Sequence, residues 1–380
     1  MEITQAFCQE LFTSAYMQRW NDKLRPVELV ELDKQAHKMI IAYFLGKFHE
    51  QDPGFNWLRI IEGGLFEFLQ RIVVTDLKPQ IVEKIRSDTQ KYEALNTWVY
   101  RTLQDKITPL GPEFCRRFRE YFSDPRTDIN RRILNAAHFA ATQWEFEIIL
   151  RENPRDYEID AIRLNLQEKQ ARFQDLYGMR ILGENIRYQN FVSLCGQLRF
   201  QIRWSRVHRV PRTSVLGHML FVAIFAYLFS LSTGSSDDRC RYNYFTGLFH
   251  DLPEALTRDI ISPVKKSVEG LKELIKDYEH EEMRKVYRLL PDDPPSWAQE
   301  MRMFTEQEFE NVERDGKRIR DGELVEAADK FAAYLEAYEA IRNGSPDEEL
   351  RQSRDDIQNT WSSRRAAGMD FGRLYAQFAD

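Results

Sequence analysis

The sequence predicts an all-α protein. Strand-like alternation is scarce, and long segments repeat apolar residues every three or four positions between dense charges. Leu271, Leu274, Ile275 and Tyr278 show this spacing, as do Ala327, Ala328, Phe331, Ala332 and Leu335. Local breakers separate the helical segments: Asp52-Pro53-Gly54, Pro109 to Pro112, Pro291 to Pro295 and Asn343-Gly344-Ser345-Pro346. A third observation, an ordered internal repeat, predicts that the helices form two related bundles.

The 380 residues suffice for two domains of ordinary size, and 43% hydrophobic residues supply a sizeable core. The net charge of −6 argues against a broad electrostatic grip on extended nucleic acid. Cys8, Cys115, Cys195 and Cys240 stand far apart without CxxC spacing, which predicts reduced thiols in a cytoplasmic protein. The start, MEITQAFCQELF, lacks the basic region of a signal peptide. The longest apolar run, Met219 to Leu231, is 13 residues, too short to span a bilayer, and reads as a buried helix. No G-x-x-x-x-G-K-[ST] or G-x-G-x-x-G occurs, so neither a P-loop nor a Rossmann site is supported.

The repeat is read in five blocks. AFCQELFTSAYMQRW, ending at Arg19-Trp20, parallels NFVSLCGQLRFQIRW, ending at Arg203-Trp204. AHKMIIAYFLGKF with His37 parallels GHMLFVAIFAYLF with His218. GGLFEFLQR, with Glu67, parallels HDLPEALTR, with Glu254, and an Asp–Pro element follows in each (Asp76 to Pro79, Asp259 to Pro263). AAHFAATQWE around His138 parallels AADKFAAYLE around Asp329. In this alignment Gly63-Gly64 stands opposite His250-Asp251 and His138 opposite Asp329, so the first copy cannot rebuild whatever site the second holds. The expected organisation is a degenerate domain over 1–150, a linker or connecting helix over 151–185 and an intact domain over 186–380.

The second copy concentrates chemistry. His218, His250, Asp251 and Asp329 each interrupt an apolar helical stripe or end one, and charged side chains are rarely buried unless paired or metal-bound. Two imidazoles and two carboxylates suit a borderline or hard divalent cation (Mn, Co, Mg, Fe, Ni or Zn) that keeps positions open. Such a cation makes water a usable nucleophile near neutral pH and polarises a phosphoryl oxygen. Each residue also has a plainer reading. A lone histidine on an apolar face is usually a hydrogen-bonded core residue. Glu254 after Pro253 suits the first turn of a helix, and Asp259 suits a turn cap. Arg-Trp, present in both copies, suits a structural element of the fold.

The order His218, His250-Asp251, Asp329, with Arg203-Trp204 upstream and HDLPEALTRDIISPVK between, resembles the H…HD…D signature of the HD-domain metal-dependent phosphohydrolases. Within them it is most similar to the YfbR-like 5′-deoxynucleotidases, over roughly residues 190–340. The resemblance implies tandem HD-like helical bundles and a divalent metal held by His218, His250, Asp251 and Asp329. It implies proton handling by Glu254 and Asp259, phosphate binding by Arg203, and packing of Trp204 against the sugar where it disfavours a 2′-hydroxyl. A guanidinium fork suits a phosphate monoester independently. The implied substrate is a small nucleotide, foremost a deoxynucleoside 5′-monophosphate. The alternatives are another phosphorylated substrate (a dNTP, a cyclic or an alarmone nucleotide) or a nucleotide-sensing protein without turnover. Hydrolases of this kind are often dimers, so a homodimer is one expectation; in the other, the degenerate copy takes the second subunit's place. Pro211 and Gly217 depart from the family pattern, in which polar and acidic residues are more usual around the first histidine.

Overall fold

The computed structural model describes residues 1–75, 77–124, 126–258, 268–291 and 297–378. Its described helices in chain order are α1 (Gln5–Phe12), α2 (Glu31–Lys47), α3 (Trp57–Val74), α4 (Pro79–Ser87), α5 (Thr89–Ile107), α6 (Pro112–Ser123), α7 (Ile129–Glu152), α8 (Ile159–Ala171) and α9 (Tyr177–Glu184). There follow α10 (Ile186–Gln197), α11 (Val215–Ser232), α12 (Asp237–Phe249), α13 (Glu254–Thr257), α14 (Leu271–Tyr287), α15 (Trp297–Thr305), α16 (Gly322–Arg342), α17 (Glu348–Trp361) and α18 (Phe371–Tyr375). The all-α expectation holds. Two antiparallel hairpins add to it, Val312–Arg314 with Lys317–Arg320 and Arg365–Ala366 with Met369–Asp370. The first turns on Asp315-Gly316, both at positive φ (53° and 71°), as a tight two-residue hairpin turn requires.

Short polar side chains start many helices by satisfying an otherwise unpaired N–H. Thr4, Asn56, Asp88, Asp128, Asn185, Ser214 and Ser236 each accept from a backbone N–H in the first turn, and Pro79 and Pro112 open α4 and α6. The helix α16 stops where the Asn343-Gly344 breaker predicts, with Gly344 at φ 91°. The expected connecting segment contains α8 and α9.

Two helices form the centre. Every residue of α2 is buried, including Glu31, Asp33, Lys34 and Lys38. The apolar run predicted as a buried helix lies in α11, which is long enough to cross a membrane, yet 89% of its span is buried inside the protein. Helix α2 packs on α3, α7 and α11; α11 packs on α2, α12 and α16. Phe12 stacks on Phe221 at 4.5 Å, and Phe245 of α12 meets Trp57 edge-to-face at 5.0 Å. Instead of two separate interiors, one apolar cluster runs through both halves of the chain. Buried polar links cross with it: Arg199 donates to Glu145 at 2.8 Å, and Ser214 donates to Asp33 at 2.5 Å. The missing side chain of Gly217 makes room for this crossing, because a Cβ there would lie 2.7 Å from Leu32 Cδ2 and 2.9 Å from Asp33 Oδ1. All four cysteines are free and buried.

Several backbone features recur between the halves. Trp20 and Trp204 both sit at positive φ (55° and 58°), as do Thr75 and Arg258 (60° and 66°). Isolated antiparallel bridges join Gln18 to Val30 and Ile202 to Ser214. Single 3₁₀ turns follow α1 and α10.

Burial pushes the Asp33 carboxyl up to about 6, against the opposing pull of Arg199 and the Ser214 hydrogen bond. A raised folded-state pKa means that this group's contribution is fully present below pH 4 and is lost as pH rises through 6. Asp33→Asn removes the ionisation while keeping an acceptor for Ser214. Urea denaturation is expected to show the variant on the order of 1–3 kcal/mol more stable than wild type at pH 8, and equal to it near pH 4.

Candidate metal centre

The site lies where α11, the end of α12 and α16 converge. Ser214 caps α11, so His218 occupies its first turn, fully buried. The apolar helix α12 ends at Phe249, which carries His250 and Asp251 into the turn before α13. Asp329 lies in α16, on the face toward α11. The close crossing of α11 and α12 sets the spacing. A Cβ on Gly247 would stand 2.8–3.0 Å from the backbone of Ala223 and Val222. The Gly247 carbonyl also accepts from His250 Nδ1 at 2.9 Å, which turns Nε2 toward the site.

Asp329 Oδ1 lies 3.0 Å from His218 Nε2 and 3.8 Å from His250 Nε2. Asp251 Oδ2 lies 3.2 Å from His250 Nε2 and 3.9 Å from His218 Nε2. His218, His250 and Asp329 each bring a ligand atom within 4.8 Å of the others, so these three could hold one cation, with Asp251 beside them. Nε2 of His250 is buried and makes no hydrogen bond of good geometry, as expected of an atom whose partner is a metal. The donor set suits a hard or borderline divalent ion. The residues therefore fit the group that the sequence implied.

Without a metal, the electrostatics already bind the cluster together. Burial would lower the His250 pKa, but Asp251 and Asp329 outweigh it and raise it well above the ordinary value. Burial would raise Asp251; His250, His218 and Arg203 instead hold it down to about 2. Asp329 is likewise held low despite burial, chiefly by Lys330, which lies 2.8 Å from Oδ2.

Behind the histidine stands Glu336, fully buried in α16, which sequence reasoning did not single out. Its Oε2 accepts from Arg203 Nε at 3.1 Å and Trp204 Nε1 at 2.8 Å, and its Oε1 accepts from Thr213 at 2.6 Å and lies 3.5 Å from His218 Nδ1. A carboxylate behind a ligating imidazole fixes its tautomer and orientation. The signal was present: Glu336 ends the quoted block ADKFAAYLE, a charge on an apolar stripe. Lys330 and Glu308 were also missed; burial pushes the Glu308 carboxyl up, and His250 and Asp251 lie within its electrostatic reach.

Arg203 borders the centre, with NH1 3.7 Å from Asp251 Oδ2. Trp204 is fixed by Glu336 and packs against Ala337, Ala340 and Leu350. Glu254 is buried in the first turn of α13, its N–H bonded to Asp251 O at 3.0 Å. Asp259, the second expected proton carrier, lies outside the described residues.

The fold and this cluster make an all-α protein with a candidate His/Asp metal centre. Residues 195–364 match the family model described as an HD domain. A 5′-deoxynucleotidase of Vibrio atlanticus is 23% identical over 189 residues, covering 49% of this chain and 91% of the relative. Those of Vibrio vulnificus (26% over 186 residues, 48% and 89%) and Pectobacterium atrosepticum (23% over 185 residues, 48% and 87%) are similar in extent.

Gly247→Ala forces α11 and α12 apart. It is expected to cost about 1–3 kcal/mol in denaturant unfolding and to reduce bound metal, measured by elemental analysis. Glu336→Gln keeps the shape but removes the charge behind His218. Metal affinity, read by competition with a chelating dye, is expected to fall about 10- to 100-fold.

Proposed function

We propose that the C-terminal half is a metal-dependent phosphohydrolase that releases phosphate from a small nucleotide, foremost a deoxynucleoside 5′-monophosphate. The observation that carries this reading is the convergence of two imidazoles and two carboxylates beside the Arg203 guanidinium. A divalent cation held by His218, His250, Asp251 and Asp329 would supply a water nucleophile near neutral pH and charge for a phosphoryl oxygen. Arg203, held at Nε by Glu336, presents its guanidinium to the phosphate at the edge of the site. Glu254 and Asp259 handle protons: one is taken from the attacking water and one given to the 5′ oxygen as the P–O bond breaks. Trp204 disfavours a 2′-hydroxyl. The names of the relatives support this substrate class.

The two halves are read as copies of one bundle, 1–150 and 186–380, joined by 151–185. The recurring φ values, bridges and Arg-Trp–Glu triads support this. Arg19 and Trp20 donate to Glu145 at 2.8 and 3.0 Å as Arg203 and Trp204 donate to Glu336. The N-terminal copy then covers the face that a second subunit would use, and the protein works as a monomer. Four free buried cysteines support a cytoplasmic location.

Phosphate release from dNMP, NMP and dNTP panels with Mn²⁺, Co²⁺ or Mg²⁺ tests the activity. The expected result is release from dNMPs at least tenfold faster than from NMPs, abolished in Asp251→Ala together with bound metal. Release from no nucleotide with any metal would sink the reading.

A further inference from the structure

The N-terminal half holds a second cluster of polar side chains that the hydrolytic reading does not use. Lys34 is fully buried in α2, and its hydrogen-bonding partner is the imidazole of His138. Among the described residues, no carboxylate lies within ion-pair distance of Lys34 Nζ, and the nearby acids are committed elsewhere. Glu31 is bound by Arg19 at 2.8 Å, Gln35 at 2.6 Å and Arg71 at 3.2 Å; Glu67 is bound by Lys38 and Tyr121. His138 is exposed, so solvent reaches the cluster. Among those residues, this buried amine beside an imidazole has no carboxylate partner to stabilise its charged form.

The backbone landmarks show what this cluster replaces. The Lys34 N–H bonds to Val30 O, and the His218 N–H bonds to Ser214 O, each Val30 or Ser214 being the bridge residue of its half. Lys34, not His37, therefore corresponds to His218; His37 is buried against Val192 O at 3.0 Å. The paired bonds Thr75 N–H to Arg71 O and Arg258 N–H to Glu254 O likewise set Glu67-Phe68, not Gly63-Gly64, opposite His250-Asp251. The four ligand positions thus read Lys34, Glu67, Phe68 and His138. The metal site carries two carboxylates there; its counterpart has one, already paired with Lys38.

We propose that the solvent-facing cluster of Lys34 and His138 binds a phosphate dianion without metal, either the phosphate group of a nucleotide or free phosphate, and does not hydrolyse it. The proposal rests on the duplication reading, and its chemistry stands on the cluster itself. Burial, aided by Arg19 and Lys38 and opposed by Glu31, pulls the Lys34 pKa well below its ordinary value. An arriving dianion restores the proton and strengthens the contact.

The test is isothermal titration of dAMP and of inorganic phosphate into the metal-stripped full chain carrying Asp251→Asn, which silences the catalytic half. One site per chain is expected, weakened at least tenfold by Lys34→Met or by His138→Ala. His138 is exposed, so the second variant retains the fold if the first does not. Tighter binding of dAMP than of phosphate identifies a nucleotide site, and equal binding a site for the phosphate group alone. Absence of binding, or binding unchanged in both variants, overturns the proposal. Hydrolysis by the wild-type protein is a separate readout, so loss of either reading leaves the other measurable.

Discussion

A carboxylate taken out of water must be met by donors, and Glu336 meets this condition by fixing the surroundings of the metal centre. It has no exposed surface, yet burial does not neutralise it: Arg203 foremost, and then His218, hold its pKa far below the usual range. Satisfying one side chain thus places the guanidinium that borders the candidate site, the adjacent indole and the His218 imidazole. Glu145 does the same in the other half with Arg19, Trp20 and Arg199. Because Arg199 arrives from the 3₁₀ turn after α10, that buried network also ties the halves together.

Close helix crossings set the remaining geometry. At Gly247 the backbones of α11 and α12 approach until no Cβ fits, and this brings His250 opposite His218, with ring centroids 5.7 Å apart. At Gly217 the same device admits Leu32 and Asp33 of α2. The departure of Gly217 from the family pattern thus has a packing cause: the position faces the other half of the chain.

The fold class was legible, and the candidate site could be marked out, because both depend on local signals. Apolar periodicity marked the helices, and charges interrupting apolar stripes marked His218, Asp251 and Asp329. The hairpins were not anticipated, since each strand is only two to four residues long; Asp315-Gly316 was their available signal. The alignment of the repeat was legible as order but not as register. His37 aligned with His218 by residue type, whereas hydrogen bonding pairs Lys34 with it. Under the duplication reading, side-chain identity and backbone hydrogen bonding give different registers, because backbone position is set by the fold and side chains by local chemistry.

The sequence by itself determined an all-α chain, the H…HD…D order and the Arg-Trp elements, since these follow from residue type and short-range spacing. Tertiary structure decided that the halves share one core, that Glu336 stands behind His218 and that Lys34 faces His138. These are pairings over roughly a hundred residues of chain. Their cause is desolvation of charged groups, whose partners are chosen only when the helices pack.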